Sequence, residues 1–236
     1  MLEGLRKELK AQQDPEKAKI LQGFFKTGPG EYGEGDIFLG IQVPVLRKLA
    51  KKYALLDPDA VSTLLESAVH EERFLALLIL VMQFNKGDEA ARKRIFDFYL
   101  ARTDRINNWD LVDLSAEHIV GGFLKDKPKD ILYRLARSAN LWERRIAMLA
   151  TFHYIKMGLH EETCRIAGML IHDRHDLIQK AVGWMLREVG KRCSEEVEET
   201  FLRQHWGEMG RTALRYAIER FSPEKRQAYL NGTVGR

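Results

Sequence analysis

One segment of the sequence, INNWDLVDLSAEHIV (residues 106–120), contains two side chains that could do chemistry together. Trp109 and Asp113 are four residues apart, and this spacing places both on one face of a helix. A carboxylate can stabilise a developing positive charge or orient an attacking water molecule, and the face of an indole attracts cations. The pair suits a reaction in which a sugar acquires oxocarbenium character, as when the glycosidic bond of a cationic alkylated purine breaks.

The same segment also has a purely structural interpretation. A Trp in a helical repeat is most often a core residue. Asp113 could form an ion pair with Arg144 or Arg145 of the next repeat and so fix the register of the helices. Asn107 or Asn108 is expected to cap the helix. The local pattern leaves both interpretations open.

The composition is that of a soluble globular protein of 236 residues, with 45% hydrophobic and 31% charged residues. A net charge of +4 permits a nucleic-acid partner without requiring one. Cys164 and Cys193 form no CxxC pair, which disfavours a zinc site or a disulfide framework. The N-terminal segment lacks the apolar region of a secretion signal, and no apolar run is long enough to span a membrane. We therefore expect a bacterial cytoplasmic protein, associated with the nucleoid when it acts, with no membrane contact.

Helical periodicity dominates the sequence, and we predict an all-α fold. Helices that begin at a polar turn recur about every 35 residues, a period typical of paired-helix solenoids. These recurrent helices are expected at residues 70–80, 107–117, 141–151, 176–186 and 210–220. The sequence predicts a single domain (1–236), a curved solenoid of about six antiparallel helix pairs, or α-α superhelix. The glycine-rich segment 27–36 is expected to be a loop.

In such a solenoid, the second helices of successive pairs line one concave surface. Basic residues recur on these helices and are expected to form a positive stripe, which suits an elongated polyanion better than a compact metabolite. The stripe comprises Arg47, Lys48, Lys51, Arg73, Arg144, Arg145, Lys180, Arg187, Arg211 and Arg215. The alternative is that these side chains only solvate exposed faces. The helix at 107–117 has Trp109, Asp110 and Asp113 where the others have a base, which makes sense if a carboxylate meets a cationic group.

Five segments, in order along nearly the whole chain, resemble the AlkD-type DNA alkylation repair proteins, which are DNA glycosylases built from HEAT-like helical repeats. The segments are FLGIQVPVLRKLAKKY (38–53), NNWDLVD (107–113), LWERRIAMLATF (141–152), IQKAVGWMLREVGK (178–191) and TALRYAIERF (212–221). The resemblance implies HEAT-like helix pairs and excision of cationic N3- or N7-alkylpurines from double-stranded DNA in base excision repair. It also implies that the base does not enter a deep pocket.

The resemblance further implies roles for individual residues. Asp113 matches the essential carboxylate near the scissile sugar, and Arg145 matches the arginine that holds the DNA backbone beside it. Trp109 matches an aromatic side chain that contacts the lesion-bearing nucleotide, and Trp184 matches a second aromatic on the neighbouring repeat. Arg47 and Arg187 match positions that contact the DNA backbone, and Gln42 matches a residue near the opposite strand. Together with the other residues of the basic stripe, the expected DNA-binding residues are Gln42, Arg47, Lys48, Lys51, Arg144, Lys180, Arg187, Arg211 and Arg215.

No metal or cofactor is expected, because the alkylated base is already an activated leaving group, and the protein is expected to act as a monomer. One alternative is a helical-repeat protein that binds damaged or branched DNA without catalysis. Another is a scaffold for a protein partner, which would carry an exposed apolar patch on its concave surface.

Overall fold

The computed structural model describes residues 1–234, and helices joined by turns account for most of this range. In chain order the α-helices are α1 (Leu2–Ala11), α2 (Pro15–Phe24), α3 (Val43–Lys52), α4 (Pro58–Leu65), α5 (His70–Lys86), α6 (Glu89–Leu100), α7 (Trp109–Ala116), α8 (Asp130–Ala136), α9 (Leu141–Ala150), α10 (Phe152–Ile155), α11 (Glu161–Leu170), α12 (Asp176–Arg192), α13 (Glu195–His205), α14 (Arg211–Ala217) and α15 (Pro223–Asn231). A π-helical turn, Glu117–Gly121, follows α7 directly. Within residues 1–234, β pairing is limited to one bridge between Ile37 and Val69. The predicted all-α fold is therefore confirmed.

Several helices begin where the sequence supplies both a cap and a proline. Pro15, Pro58 and Pro223 are the first residues of α2, α4 and α15, where a missing backbone N–H leaves no hydrogen bond unmade. Each follows an Asp or Ser whose side chain accepts a hydrogen bond from a backbone amide of the first turn. Across the described residues, none of the helices is both long enough and apolar enough to cross a membrane.

The recurrent helices predicted from the sequence correspond to α5, α7, α9, α12 and α14. Their first residues are His70, Trp109, Leu141, Asp176 and Arg211. Each start lies within two residues of its prediction, so the spacing of about 35 residues is a property of the folded chain. The number of repeats stays a prediction.

The chain divides into two compact units, which we call unit 1 (Met1–Ile119) and unit 2 (Val120 onward). In unit 1, the helices α3, α4, α6 and α7 all pack against α5. In unit 2, the helices α9, α11, α13 and α14 pack against α12. Burial of each large aliphatic side chain on such a central helix contributes roughly 2 kcal/mol to stability. The single domain expected from the sequence stays a prediction.

The prediction that Arg73 is an exposed basic residue is wrong, because α5 is the central helix of unit 1. We predicted that this side chain belongs to an exposed basic stripe, but it is only 3% exposed. Its guanidinium lies 2.5 Å from the carboxylate of Asp36 and donates a 2.8 Å hydrogen bond to the carbonyl oxygen of Ser67. The neighbouring helices cover α5 on several sides, so Arg73 is an internal ion-pair partner.

Candidate nucleic-acid interface

The beginning of α7 positions Trp109 and Asp113 in unit 1. The Oδ1 atom of Asn108 accepts a hydrogen bond from the Trp109 amide at 2.9 Å, which confirms the expected N-cap. One turn further along, the buried hydroxyl groups of Tyr99 and Ser115 are hydrogen-bonded at 2.9 Å and hold the inner face of α7. Trp109 and Asp113 both stay partly exposed, one helical turn apart.

Asp113 also acts electrostatically on the core beneath it. Burial raises the pKa of Tyr99, and the negative charge of Asp113 adds to this effect. Tyr99 therefore remains protonated at physiological pH and can serve as a hydrogen-bond donor to Ser115. Asp113 itself is only partly buried, while its charge acts on the buried Tyr99 hydroxyl.

Trp109 lies within a group of aromatic side chains. Its ring is stacked on Phe25 with a centroid distance of 5.2 Å and an interplanar angle of 11°. Phe24 meets it edge-on at 5.9 Å, and Phe24 is itself 61% exposed. Trp109 is therefore a supported indole with an accessible part, and not a fully enclosed core residue.

Helix α3 carries three of the basic residues predicted for unit 1, and Gln42 precedes it. Gln42 is the exposed N-cap residue of α3, and Arg47, Lys48 and Lys51 are exposed on one face of the helix. Among residues 1–234, none of these three bases has a salt bridge to an acidic side chain. The opposite face of α3, which includes Leu46, packs into the core. These bases are therefore available to phosphate groups without the loss of an existing ion pair.

The two arginines predicted on α9 of unit 2 are engaged within the protein. Arg145 is 4% exposed, and its Nη1 donates a 2.5 Å hydrogen bond to the carbonyl oxygen of Leu177. Arg144 lies 2.6 Å from the carboxylate of Asp173 and also donates to the carbonyl oxygen of Ser138 at 3.0 Å. Both arginines tie α9 to the turn and helix start that lead into α12.

The predicted residues of α12 share one face of that helix. Lys180, Trp184 and Arg187 are separated by four and three residues, and all three are partly exposed. Lys180 forms an ion pair of 2.6 Å with Asp176, and Arg187 forms an ion pair with Glu219. Lys180, Trp184 and Arg187 therefore lie on the same helix face, and acidic partners lie beside two of its cations.

A glycine next to Trp184 explains how closely α14 approaches α12. A Cβ atom on Gly183 would lie 2.3 Å from the carbonyl oxygen of Ala213, so a larger residue would force the two helices apart. On α14, Arg211 and Arg215 are both exposed. Arg211 donates a 2.8 Å hydrogen bond to the carbonyl oxygen of Leu230, which leaves the rest of its guanidinium at the surface.

A buried charge cluster beside Trp109 was not predicted from the sequence. His70 is hydrogen-bonded through Nδ1 to Asp36 at 3.1 Å and through Nε2 to Asp110 at 2.8 Å. Burial lowers the pKa of His70, but the two carboxylates outweigh this effect and raise it to about 9. The pKa of Asp36 is lowered by His70 and Arg73, although burial opposes this shift. The imidazole is therefore a buried cation at neutral pH.

The fold and these side chains define an all-α protein with exposed basic helix faces and one carboxylate–indole pair. Residues 5–221 match the sequence signature of the family described as DNA alkylation repair enzyme. The chain belongs to this family, and membership supports a role in DNA repair with DNA as the partner.

Solved structures show the same fold. One is described as "Predicted DNA alkylation repair enzyme from Enterococcus faecalis"; it has a TM-score of 0.68 and 16% identity over 90% of this chain and 98% of that chain. Another is smu.31 from Streptococcus mutans UA159, with a TM-score of 0.50 and 18% identity over 99% of this chain and 96% of that chain. At these identities, the likeness is one of fold. No curated protein matches the chain significantly.

Proposed function

We propose that this protein is a DNA glycosylase that removes cationic N3- and N7-alkylated purines from duplex DNA. The observation that supports this most directly is the pairing of a partly exposed carboxylate, Asp113, with a partly exposed indole, Trp109, one turn apart on α7. The indole is supported from behind by Phe25. A negative group beside an aromatic face is suited to a sugar and base that share positive charge.

The proposed reaction breaks the bond between C1′ of the deoxyribose and the purine nitrogen. The electron pair of this bond moves to the base, which leaves as a neutral alkylpurine, and C1′ acquires oxocarbenium character. Asp113 stabilises that charge and orients a water molecule, whose oxygen forms the new bond to C1′. The proton released from water passes to Asp113 or to solvent. Because the base departs neutral, the reaction needs neither a general acid nor a metal or cofactor.

Binding to the DNA backbone is assigned to the basic residues of both units. In unit 1, Arg47, Lys48 and Lys51 would contact phosphates, and Gln42 would lie near the opposite strand. In unit 2, Trp184 would supply the second aromatic contact. The backbone-binding residues proposed for unit 2 are Arg144, Arg145, Lys180, Arg187, Arg211 and Arg215. Arg145 is nearly as buried as Arg73, and one of its donors is used by the carbonyl oxygen of Leu177, so a phosphate contact by Arg145 would require its guanidinium to be uncovered.

The direct test is release of 7-methylguanine and 3-methyladenine from methylated duplex DNA. We expect Asp113→Asn to reduce the single-turnover rate about 100-fold or more, since removal of one electrostatic stabiliser has effects of this order. DNA affinity should stay the same or rise slightly. Asp104→Asn, which removes an exposed carboxylate from the turn before α7, is the matched control and should excise normally. No release by the wild-type protein would refute the proposal.

A second candidate is a protein that binds damaged or branched DNA without excision. The exposed bases of α3, which lie on a different helix from Asp113, favour it because they would bind DNA whether or not chemistry follows. In that case affinity would fall steeply with salt, the wild-type protein would release no base, and Asp113→Asn would change nothing in the excision assay.

A further inference from the structure

The buried side chain of His70 joins three segments of unit 1. It is the first residue of α5, and its side chain is only 3% exposed. Its Nδ1 atom faces the carboxylate of Asp36, in the segment between α2 and α3, and its Nε2 atom faces the carboxylate of Asp110, in the first turn of α7. The imidazole therefore connects the central helix of unit 1 to the beginning of the helix that carries Trp109 and Asp113.

The geometry of this contact requires a charged imidazole. An ionised carboxylate can only accept hydrogen bonds, and a neutral imidazole has a single N–H donor. Both ring nitrogens of His70 lie within hydrogen-bonding distance of a carboxylate oxygen, so both must carry a proton. Loss of one proton would remove the positive charge and would leave a lone pair facing a carboxylate.

The two carboxylates do not depend equally on His70. The side chain of Asp36 is 4% exposed and has a second cation, the guanidinium of Arg73 at 2.5 Å. Asp110 is 14% exposed and has no other basic partner within salt-bridge distance among residues 1–234. It also lines a cavity of about 560 Å³, into which its side chain can turn. A neutral His70 would therefore leave Asp36 in place and release Asp110.

Other charged groups near His70 are engaged elsewhere. On α3, the side chain that faces the core is Leu46, and the basic residues are exposed. The remaining contacts are those of Glu71 with the backbone amides of Leu39, Gly40 and Ile41, of Glu72 with Arg6 at 2.8 Å, and of Lys17 in α2 with Asp14 at 2.8 Å. These groups stay balanced whether or not His70 is charged.

Two links lead from His70 to the indole of Trp109. The first is Asp110, the next residue along the chain, whose Oδ1 accepts a hydrogen bond from the Leu111 amide at 2.8 Å while its Oδ2 contacts His70. The second is Phe25, whose ring lies 5.1 Å from the imidazole and is stacked on Trp109 at 5.2 Å. A change at His70 reaches the first turn of α7 through both contacts.

We propose that His70 and Asp110 are positioning residues for the Trp109–Asp113 pair, and that the charged imidazole holds the first turn of α7 in the orientation that presents this pair. Neither residue is assigned a contact with DNA, and both act through Trp109 and its helix. The consequence for excision rests on the proposed function. The positioning itself is a property of the protein without DNA and can be measured there.

The test follows the solvent accessibility of Trp109 in the full-length protein without DNA. Quenching of tryptophan fluorescence by acrylamide is measured from pH 6 to 10, and the signal of Trp109→Phe is subtracted to remove the other tryptophans and the tyrosines. Quenching of Trp109 should increase about twofold as His70 loses its proton and Asp110 is released. The change should be half complete near pH 9, the pKa of His70. Constant quenching over the whole range would overturn the proposal.

Two variants separate positioning from a general loss of stability. His70→Gln cannot become charged, so Trp109 should already be as accessible at pH 7 as it is in the wild type at pH 10. The amide of Asp110→Asn can accept from an N–H or donate to a lone pair, so its contact with His70 survives deprotonation. This variant should show wild-type quenching at pH 7 and no change with pH. His172→Gln, at an exposed histidine of unit 2, is the control and should titrate as the wild type does.

A merely structural histidine would give a different result. His70→Gln would then melt at a lower temperature but would show wild-type quenching of Trp109 while folded, which would refute the proposal. If His70→Gln does not fold by circular dichroism, Asp110→Asn decides the question, because a wild-type pH dependence in this variant would also refute it.

The excision assay shows whether positioning matters for chemistry. The single-turnover rate of the wild type should fall roughly tenfold between pH 8 and 10, since small displacements of reacting groups have effects of this order or larger. Asp110→Asn should have a flatter pH profile. If Trp109 titrates but no base is released at any pH, the proposed function fails and the positioning role stands. If bases are released but Trp109 does not titrate, the positioning role fails alone.

Discussion

The basic residues of the two units look alike in the sequence but differ in what surrounds them. In unit 1, Arg47, Lys48 and Lys51 are exposed on α3 without a salt bridge among the described residues. In unit 2, Lys180 and Arg187 lie beside the carboxylates of Asp176 and Glu219, and other arginines donate to carbonyl oxygens. The bases of α3 can bind phosphates directly, whereas most of those in unit 2 must first exchange a partner.

Basic residues that recur along the sequence therefore do not form a uniform DNA-binding surface. A base that already pairs with a neighbouring acid must break that ion pair before it can neutralise a phosphate, so its net contribution to DNA binding is smaller. An exposed ion pair contributes about 0–1 kcal/mol. Exchanging an acidic partner for a phosphate therefore costs little for one base, but the costs of several bases add up. Arg215 of α14 is exposed, as the bases of α3 are.

The strongest test of the comparison removes three bases at a time. The triple variant Arg47→Ala, Lys48→Ala, Lys51→Ala should bind duplex DNA roughly 10- to 100-fold more weakly at low salt. The slope of log affinity against log salt concentration should be smaller in magnitude by about 2 to 3. Fluorescence anisotropy over a salt series measures both quantities.

The matched triple in unit 2 is Lys180→Ala, Arg187→Ala, Arg211→Ala. It removes the same charge but should weaken binding only about threefold, because Lys180 and Arg187 already have acidic partners and Arg211 already donates to a backbone carbonyl oxygen. An equal or larger loss from the unit 2 variant would contradict the distinction between the units.

A second contrast concerns two histidines and the pH dependence of stability. His70 of unit 1 is buried with a pKa of about 9, while His172 of unit 2 is exposed beside Glu208. Because the pKa of His70 in the folded state lies above its ordinary value of 6.5, its contribution is complete below pH 6.5 and is lost as pH rises toward about 9. The free energy of unfolding, measured with urea, should therefore decrease over this range.

The contribution of His70 is isolated by comparing variants. Glu198, whose pKa burial raises to about 8, also reduces stability as pH rises, so the wild-type curve contains more than one group. His70→Gln should flatten the curve between pH 6.5 and 9, and His172→Gln should leave it as it is. Identical curves for His70→Gln and the wild type would show that the buried imidazole is not charged.

Local sequence patterns were sufficient to predict where several of the helices begin. The predicted starts of α5, α9 and α12 coincide with their observed first residues, because a polar turn and apolar spacing depend on neighbours within a turn. The N-cap at Asn108 follows from the same short-range rules.

Long-range contacts explain what the sequence did not reveal. Asp36 and Asp110 lie 34 and 40 residues from His70 in the sequence. No local spacing pattern could therefore predict that the three side chains form a cluster. In the sequence, Arg73 has the pattern of a basic residue on a helix surface, but in the folded protein neighbouring elements bury it.

The smallest expected effect comes from releasing one paired base in unit 2. Glu219→Gln removes the acidic partner of Arg187, so DNA affinity should rise about two- to fourfold at low salt and converge with the wild type at high salt. Glu224→Gln makes the same change in net charge at an exposed residue of α15 that has no salt bridge within the described chain. If both variants gain affinity equally, net charge explains the effect; a gain confined to Glu219→Gln indicates that the ion pair restrains Arg187.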